Sequence, residues 1–526
     1  MKQSVDLKKT ALGVEFGSTR IKAVLLDENH QVIAAGAYEW ENTLKGQVWT
    51  YAMKDAVTGL QTCFAGLKKN FEETFGQKLT TVGAIGLSGM MHGYLPFDAQ
   101  WTQLTEFRTW RNTITGEAAE KLSELFDFNV PQRWSVAHLY QAVLNGEKHL
   151  PELKHLNTLA GYFHWRLTGE NVLGIGEASG MFPVDPATGT YDQTMMEKLR
   201  TLLAPYGFSW DPEALFPVIL PAGTCAGKLT EAGAKLMDPT GDLQAGIPFA
   251  PPEGDMQTGI VATNSTRPGT GNVSAGTSIN ATIVTDQKIS VHTEIDVLLS
   301  PGGHTAALVH CNNCTTDINE WVEMLGETAA LFGAPQDKGT LFTKLFEAAL
   351  AGDPACGGLI TFNYHSGEVI TGLDEGRTLL VRKQNAAFTL PNLMRSLLLS
   401  AVATLKLGVD LLTKEEHVII DKLYGHGGYF KTPEVGQRLL SAAIGVPVSV
   451  MKTAGEGGPY GMALLAAYLL EKEDGETLED YLDKKVFADA EATVLMADER
   501  DIAGFEAFMA DYVKAVAVEK AAVEVL

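Results

Sequence analysis

The chain has 526 residues, of which 45% are hydrophobic and 20% are charged, so it can build ordinary folded cores and is not globally disordered. Asp and Glu outnumber Lys and Arg by 64 to 41, and the net charge of −23 excludes a general nucleic-acid or anionic-membrane binder unless one face is locally basic. The sequence contains no such basic run. The five cysteines do not form a disulfide framework, and the first residues lack an apolar signal core, so we expect a cytoplasmic protein. The longest apolar stretch, 397–402, is far shorter than the ~20 residues of a spanning helix, so no membrane segment is expected.

Strands and amphipathic helices alternate along the chain, which predicts an α/β fold. In the first half, short apolar runs ended by turn residues predict strands at 11–16, 21–26, 32–37 and 82–87. Apolar residues at helical spacing predict a helix over 57–71, between the third and fourth of these strands. In the second half, the same reasoning predicts a helix over 393–412, a strand over 418–423, a glycine-rich turn over 456–461 and helices over 462–470 and 502–516.

One segment of the second half repeats the opening of the chain. Residues 16–27 and 275–286 both consist of a small-residue turn, an apolar strand and a final Asp, and they are offset by 259 residues, close to half the length. A repeat at this spacing predicts two related domains. The Pro- and Gly-rich segment 248–254 is the predicted boundary, which gives domains 1–250 and 251–526.

Two short turns carry groups that can bind phosphate. The first consists of Gly17, Ser18 and Thr19, between Glu15 and Lys22. Successive main-chain N–H groups and hydroxyls form an anion-binding concavity, and a nearby carboxylate can hold Mg²⁺ through water. An ordinary hairpin with solubilising residues explains this motif equally well. The same reasoning applies to a second turn, which consists of Gly276, Thr277 and Ser278.

Further glycines at junctions of strands, loops and helices allow a ligand to approach the main chain; they are Gly425, Gly427, Gly428, Gly457, Gly458 and Gly461. The sequence contains no Walker A motif, and no Rossmann glycine motif follows the first strand, which disfavours P-loop and dinucleotide enzymes. Cys311 and Cys314 form a lone C-x-x-C close to two histidines. Buried free thiols are the preferred interpretation of this pair over a metal site, because no second ligand pair has a standard spacing.

Asp255 follows the Pro-rich boundary and could accept a proton from a substrate hydroxyl. A Gly-Asp pair is more often a turn or a helix cap, as is expected for Asp242, which also follows a glycine. Residues 88–93 and 110–113 bring polar and aromatic groups suited to a polyhydroxylated ligand. Taken singly, His92 and Trp110 are more often structural residues.

In their order along most of the chain, these motifs resemble the FGGY family of carbohydrate kinases. The segments that carry the resemblance are 13–22, 86–93, 161–169, 254–255, 271–278, 362–368, 425–428 and 461 onward, together with the 18 positions that separate His92 from Trp110. The resemblance implies two ribonuclease-H-like domains of the actin, hexokinase and Hsp70 ATPase type with a central cleft. It also implies a sugar kinase that uses ATP and Mg²⁺.

The resemblance also assigns roles to individual residues. It implies Asp255 as the catalytic base and Glu15 and Asp255 as Mg²⁺ ligands. The implied substrate ligands are Met91, His92, Trp110, Asn112 and Gln257. The implied nucleotide ligands are Gly17, Ser18, Thr19, Lys22, Gly276, Thr277, Ser278, Gly425, Gly427, Gly428 and Gly461.

The chain departs from the family pattern at several of these positions. Glu15 stands where the family usually has Asp, and Met90 stands where it usually has Gln. Asn112 and Ile114 replace the Asp and Arg of a sugar-binding motif, so D-xylulose is not a secure substrate and L-ribulose or a related ketose is equally open.

Two rival functions use the same fold. One is a catalytically inactive or regulatory protein that binds sugar and ATP, which the altered sugar motif favours and the retained Asp255 disfavours. The other is a chaperone-like ATPase, which would need a peptide-binding domain that the sequence does not show. The expected partners are a sugar and ATP, with a homodimer left open and with no nucleic acid or membrane.

Overall fold

The computed structural model describes residues 4–451, 457–490 and 492–526, so Glu456 of the predicted 456–461 turn lies outside the described residues. The chain divides into two compact units. The first consists of Met1–Arg267, Asp296–Ala306 and Glu456–Asp489, and the second consists of Pro268–Ile295, Ala307–Gly455 and Ala490–Leu526. The domain division at residue 250 stays a prediction.

The strands are β1 Ala11–Phe16, β2 Arg20–Leu26, β3 Val32–Glu39, β4 Thr43–Lys45, β5 Val48–Thr50, β6 Ala84–Gly89, β7 Leu95–Phe97, β8 His155–Asn157, β9 Val172–Gly174, β10 Val184–Asp185, β11 Thr190–Tyr191, β12 Val218–Leu220, β13 Glu253–Gly254, β14 Thr270–Ala275, β15 Ile279–Thr285, β16 Ile295–Leu299, β17 Thr305–Cys311, β18 Leu359–Asn363, β19 Thr378–Arg382, β20 Lys422–His426, β21 Val448–Met451 and β22 Ala492–Leu495.

The α-helices are α1 Met53–Phe75, α2 Gly116–Phe126, α3 Ser135–Leu144, α4 Leu159–Thr168, α5 Ile175–Ser179, α6 Gln193–Leu203, α7 Pro212–Leu215, α8 Glu231–Met237, α9 Asp255–Ala262, α10 Thr316–Leu331, α11 Lys338–Leu350, α12 Leu390–Asp410, α13 Val435–Ile444, α14 Gly458–Glu471, α15 Leu478–Tyr481 and α16 Glu499–Val525.

The first unit is built on a five-stranded sheet with the order β13-β6-β1-β2-β3. β1 pairs antiparallel with β2 and parallel with β6, and β13 extends the sheet in parallel beyond β6. The strands β1 and β6 are buried at every position, as is typical of a sheet covered on both faces. α1 packs its apolar stripe, which includes Leu60, Phe64 and Leu67, on one side of the sheet, and α14 packs against β1 and β6.

A seven-stranded sheet with the order β16-β17-β15-β14-β20-β21-β22 repeats this arrangement. β14 pairs antiparallel with β15 and parallel with β20, as β1 does with β2 and β6. The internal sequence repeat is therefore a structural repeat, in which each copy opens a sheet with a hairpin. This relation confirms that the two sequence segments share one topology.

Most of the predicted elements are present, but three have other bounds. The strand predicted over 82–87 is β6 at Ala84–Gly89, and residues 458–461 of the predicted turn form the first turn of α14, because Pro459 suits the start of a helix. The segment predicted as a strand over 418–423 forms β20 only from Lys422, because its pairing partner β14 begins at Thr270, directly opposite Lys422. The preceding Val418 instead donates its main-chain N–H to the carbonyl oxygen of Leu412 at 2.9 Å and closes the end of the helical segment. Strand pairing, which single-sequence periodicity does not contain, moved this boundary.

Two further features bear on the sequence expectations. The helical stretch Leu390–Glu415 is long and apolar enough to cross a membrane by length and composition, and 72% of its most apolar window is buried inside the fold, as in a core helix. Cys311 and Cys314 are buried free thiols, which confirms the preferred interpretation of the C-x-x-C pair.

Candidate active site

Asp255 is the first residue of α9 and directly follows β13, at the carboxyl end of the strand. Its Oδ1 accepts a hydrogen bond from the main-chain N–H of Met256 at 3.0 Å. The preceding Gly254 has no room for a side chain, because a Cβ there would lie 2.3 Å from Cγ of Met91 and 2.6 Å from Oε2 of Glu177. This packing fixes the main chain from which the Asp255 carboxylate projects.

The environment of Asp255 gives it the basicity of a proton acceptor. Burial raises the pKa of Asp255 to about 6, while main-chain N–H groups of Met256 and Met91 act in the opposite direction. A base with this pKa is ionised at neutral pH and still binds a proton readily. Asp255 can therefore accept a proton from a hydroxyl held next to it.

Glu15 supplies a second carboxylate on β1. It lies opposite Lys22 of β2 in the strand register, with its Oε2 3.8 Å from Nζ of Lys22. Burial raises the pKa of Glu15 to about 7, the Lys22 ammonium opposes that shift, and the negative charge of Asp255 adds to it. Glu15 and Asp255 are thus close enough to interact electrostatically.

The Glu15–Asp255 pair fits the requirements of a magnesium ion. Mg²⁺ is held by one or two carboxylates and keeps several of its waters. A Cβ at Gly458 would lie 2.2 Å from Oε1 of Glu15, so the start of α14 lies directly against that carboxyl group. Burial disfavours the charge on both carboxylates, and a divalent cation would offset that cost.

The first turn is held in place by aromatic side chains. The main-chain N–H of Gly17 donates to the carbonyl oxygen of Arg20 at 3.0 Å, which closes the turn. Nε1 of Trp40 donates to the Gly17 carbonyl oxygen at 2.7 Å, and the Tyr51 hydroxyl donates to the Ser18 carbonyl oxygen at 2.5 Å. Sequence reasoning missed Trp40 and Tyr51, because nothing local to them indicates a contact with the turn.

Hydrogen bonds orient the side chains of two predicted substrate ligands, His92 and Trp110. His92 adopts a φ of 68°, and its Nδ1–H donates to the carbonyl oxygen of Gly180 at 2.9 Å, which leaves Nε2 as an acceptor. Burial, with a smaller effect of the Arg133 charge, lowers the pKa of His92 to about 3, so the ring is neutral. Trp110 is 39% exposed, and its Nε1 donates to Oγ of Ser18 at 3.2 Å.

The other predicted substrate ligands are buried. The Asn112 amide nitrogen donates to the carbonyl oxygens of Trp49 and Thr109 at 2.8 and 2.9 Å, and its Oδ1 accepts from the Trp49 N–H at 2.8 Å. Asn112 therefore joins β5 to the segment at Thr109, and its role as a substrate ligand stays a prediction. Nε2 of Gln257 donates to the Leu299 carbonyl oxygen at 3.1 Å, and its Oε1 has no hydrogen-bond partner within the described part of the chain.

Two buried acids beside Asp255 were not found from the sequence. Glu253 accepts hydrogen bonds from the main-chain N–H groups of Gly176 and Glu177, at 3.4 and 2.8 Å, and burial raises its pKa to about 8. Glu177 is fully buried, and neither of its carboxyl oxygens has a hydrogen-bond partner among the residues that the structure describes. Burial raises the pKa of Glu177 well above its usual range.

The second turn, in the second unit, is anchored by the start of α10. The carbonyl oxygen of Gly276 accepts from the N–H and the hydroxyl of Thr315 at 3.0 and 2.7 Å. The carbonyl oxygen of Thr277 accepts from the N–H of Cys314 at 2.9 Å. The side of the turn at Gly276 is open, since a Cβ there would meet nothing within 4 Å.

The predicted nucleotide-binding glycines have different surroundings. Gly427 has a φ of 101°, and a Cβ there would lie 2.3 Å from the carbonyl oxygen of Ala275. Gly425 lies against the Phe430 ring, and Gly461 lies against the main chain of Thr258, so packing alone accounts for these two glycines. A Cβ at Gly428 would meet nothing within 4 Å.

Comparison with known proteins adds evidence from outside the chain. The N-terminal domain model of the FGGY family of carbohydrate kinases matches residues 10–262, and the C-terminal domain model matches residues 271–470. A xylulose kinase of Escherichia coli (strain K12) is 24% identical over 197 residues, which are 35% of this chain and 39% of that protein. The aligned region thus spans well under half of that relative.

Solved structures share the fold over nearly the whole chain. A ligand-bound xylulose kinase from Lactobacillus acidophilus has a TM-score of 0.78 at 16% identity and is matched over 97% of this chain and 98% of its own. A gluconate kinase from the same organism has a TM-score of 0.77 at 17% identity, with the same coverage of both chains. These neighbours confirm the α/β fold that the resemblance implied. Because the two family models together match most of the chain, it belongs to the FGGY family of carbohydrate kinases.

Proposed function

We propose that this protein transfers a phosphoryl group from ATP to a hydroxyl of a neutral ketose, with the ketopentoses L-ribulose and D-xylulose as first candidates. The observation that carries the proposal is the Asp255 carboxylate at the start of α9, with a pKa raised by burial to about 6. A carboxylate of this basicity suits removal of a proton from a sugar hydroxyl as that oxygen attacks phosphorus.

The other residues of the first unit support the same reaction. Glu15 and Asp255 would hold Mg²⁺, which supplies positive charge to offset the charge on the phosphates when it is bound. The hydroxyls and N–H groups of Ser18 and Thr19, with the Lys22 ammonium, would bind phosphate oxygens. In phosphoryl transfer, positioning and electrostatic stabilisation supply nearly all of the catalysis, and these groups are of the kind that supplies both.

Sugar recognition follows from the side chains near the base. Nε2 of His92 would accept a hydrogen bond from a sugar hydroxyl, and the exposed face of Trp110 would cover the apolar face of the sugar. Met91 and Gln257 lie against Gly254, next to Asp255, and would complete the pocket. Asn112 would act by holding the segment at Thr109 against β5.

The charge of the site favours a neutral substrate over a sugar acid. Lys22 lies beside Glu15, and Arg133 forms an ion pair with Asp296, so these two cations already have acidic partners. A substrate carboxylate next to Asp255 would be repelled by the negative charge of that side chain. We therefore expect no activity on gluconate, the substrate named for one of the structural neighbours.

In the second unit, the turn at 276–278 would bind phosphate oxygens of ATP through its hydroxyls and N–H groups. The glycine segment Gly425, Gly427 and Gly428 would let the nucleotide approach the main chain, and Gly461 of the first unit stays a predicted contact.

An inactive protein that only binds sugar and ATP is the alternative, because Asn112 has replaced a sugar ligand and its amide is taken up by main-chain groups. ADP release measured with D-xylulose, L-ribulose, D-ribulose, L-xylulose, L-rhamnulose, glycerol and gluconate separates the two. Dependence of ADP release on one neutral ketose supports the kinase. Tight binding of a sugar without ADP release supports the alternative.

Asp255→Asn tests the base directly. The amide keeps the shape but cannot take the proton, so kcat should fall by about 10²–10⁴-fold while ATP still binds. Asp242→Asn is the matched control, since Asp242 also follows a glycine but forms an ion pair with Lys68 away from the first turn. Full activity of the Asp255→Asn enzyme would remove Asp255 from this role.

A further inference from the structure

The short helix α5, Ile175–Ser179, connects the segment of the proposed base to the proposed sugar ligand. Its first N–H groups are bound by Glu253, two residues before Asp255. The carbonyl oxygen of Gly180, directly after its last residue, accepts the Nδ1–H of His92. We propose that Glu253 is a positioning residue that couples Asp255 and His92 through α5. This inference rests on the proposed function and identifies a residue that positions the base and the sugar ligand.

The Glu253 end of this connection is closely packed. Glu253 is 1% exposed, and its Oε2 accepts the Glu177 N–H at 2.8 Å. A Cβ at Gly174 would lie 2.2 Å from Oε1 of Glu253, and one at Gly176 would lie 2.7 Å from Oε2. The carboxyl group therefore fills the space that side chains would take on the segment before and at the start of α5. Movement of Glu253 would move that segment with it.

The main chain on both sides adds to this hold. The N–H of Gly174 donates to the carbonyl oxygen of Pro252, the residue before Glu253, at 2.8 Å. Glu253 and Gly254 pair in parallel with Ser88 and Gly89 of β6, three residues before His92. Asp255 and His92 thus follow the ends of two adjacent parallel strands, and α5 contacts both segments.

The other end of α5 sets the orientation and the tautomer of His92. Because the Gly180 carbonyl oxygen can only accept, Nδ1 must carry the proton, and Nε2 must be the acceptor. A Cβ at Gly180 would lie 2.8 Å from Nδ1, so the ring lies directly on this main chain. Ser179 fixes the same end, since its hydroxyl donates to the Gly176 carbonyl oxygen at 2.6 Å and accepts the Leu299 N–H at 2.9 Å.

This arrangement predicts that one change at Glu253 affects two kinetic constants. Displacement of α5 releases His92, which weakens binding of the ketose, and displaces the start of α9, which misplaces Asp255. A small displacement of a reacting group can cost up to about 10²-fold in rate. A residue that only stabilised the fold would lower the amount of active enzyme and leave the KM for the ketose unchanged.

The experiment compares Glu253→Ala, His92→Ala and the double variant in the full chain. Glu253→Ala should raise the KM for the ketose and lower kcat, each by about 10-fold, with the KM for ATP unchanged. In the double variant, Glu253→Ala should add little to the KM effect of His92→Ala, because both changes release the same ring. Glu253→Gln keeps one acceptor for α5 and should restore most of the KM.

Glu368→Ala is the matched control in the second unit. Glu368 is also a fully buried carboxyl group that accepts main-chain N–H groups, those of Asn312 and Asn313 at 3.0 and 3.3 Å. Glu368→Ala should lower the melting temperature, and it should leave the KM for the ketose unchanged both alone and in combination with His92→Ala. If Glu253→Ala does not fold, Glu253→Asp, which shortens the side chain by one methylene, replaces it.

A second readout does not depend on the proposed function. Nitrogen-15 NMR of labelled histidines should show His92 as the Nδ1–H tautomer in the wild type and in Glu253→Gln, and a mixed tautomer in Glu253→Ala. Additive kinetic effects together with an unchanged tautomer would overturn the coupling. If the wild type shows no ketose-dependent ADP release while Glu253→Ala shows the expected change of the His92 tautomer, the proposed function is overturned and the coupling stands.

Discussion

The two hairpins that open the two sheets have the same topology and different chemistry. β1 and β14 each pair antiparallel with the next strand and parallel with a later one. The first hairpin carries the cross-strand pair Glu15 and Lys22 next to its turn, whereas the second carries Ser274 and Asn280. A charged pair in one repeat thus corresponds to a neutral polar pair in the other.

The difference shows that the repeated topology provides the scaffold and that single cross-strand positions provide the chemistry. Both turns offer main-chain N–H groups and hydroxyls, the groups that bind phosphate oxygens. Only the first places a buried carboxylate under the electrostatic influence of Asp255. Metal binding and proton transfer are therefore expected to depend on the first hairpin, and the second is expected to serve in phosphate binding.

The largest expected difference between the two hairpins is in kcat, when the equivalent residues Glu15 and Ser274 are substituted. Glu15→Gln removes a charge from the proposed Mg²⁺ site and should lower kcat by about 10²-fold, with a weaker response to added Mg²⁺. Ser274→Ala removes only a hydroxyl and should change kcat by about 2-fold at most. Steady-state rates at several Mg²⁺ concentrations measure both. Equal losses in the two variants would show that the hairpins share the metal-binding role.

The second prediction concerns pH and depends on the interaction of Glu15 with Asp255. Their pKa values of about 7 and about 6 predict that kcat/KM falls as pH decreases through this range, because protonation removes the base and the metal ligand. In Glu15→Gln the fall should reduce to a single step near pH 6. Below that step the rate should decrease about 10-fold for each pH unit. A profile that is flat from pH 8 to pH 5 would contradict both assignments.

The sequence predicted the strands and helices that carry strong periodicity, such as β1, β2, β3 and α1, because their burial follows from local patterns. It also predicted the repeat, since two similar turns precede similar strands. The pairing of Glu15 with Lys22 was not predictable, because the first turn is longer by one residue than the second, and only strand register shows which residues face each other.

The parts of the site that escaped prediction depend on contacts between distant residues. α5 has five residues in a glycine-rich segment, too short for a periodic signal. Its two hydrogen bonds to Glu253 connect residues that are 76 and 77 positions apart in the sequence. The main-chain hydrogen bonds of Asn112 were not predictable either, because a polar residue in a sugar-binding motif is suited both to a ligand and to main-chain groups.

A third prediction concerns Gly427 and Gly428, which follow β20 next to the second hairpin. A Cβ at Gly428 meets nothing, so Gly428→Ala should fold normally and raise the KM for ATP by about 10-fold if the nucleotide lies against this main chain. Gly427→Ala must adopt a φ near 101° against the Ala275 carbonyl oxygen and should lose about 2–3 kcal/mol of unfolding free energy. Thermal melts and ATP titrations separate the two effects. An unchanged KM for ATP in Gly428→Ala would move the nucleotide away from this segment.

The smallest effect concerns Glu177, a buried acid of the first unit. Burial raises the pKa of Glu177, the charges of Asp255 and Glu253 add to the shift, and the Thr158 hydroxyl opposes it in part. Because the folded-state pKa lies above the unfolded value, the stability that the neutral acid contributes is complete below pH 4.5 and decreases as pH rises through the folded-state pKa. Glutamine is neutral at every pH, so Glu177→Gln should melt higher than the wild type at pH 8, by about 3 °C.

The difference in melting temperature between Glu177→Gln and the wild type should depend on pH. This pH dependence distinguishes the titration of Glu177 from a stabilisation by glutamine that is the same at every pH. The gain of Glu177→Gln should shrink as pH falls from 8 towards 4, because the wild-type side chain becomes neutral first in the folded protein and then, below pH 4.5, in the unfolded chain as well. Glu120→Gln, on the exposed side of α2, should show no such trend. A constant difference between wild type and Glu177→Gln across this range would mean that Glu177 has a partner that stabilises its charge. Glu177 would then be stabilised by pairing, as Glu253 and Glu368 are, whose carboxyl groups accept main-chain N–H groups.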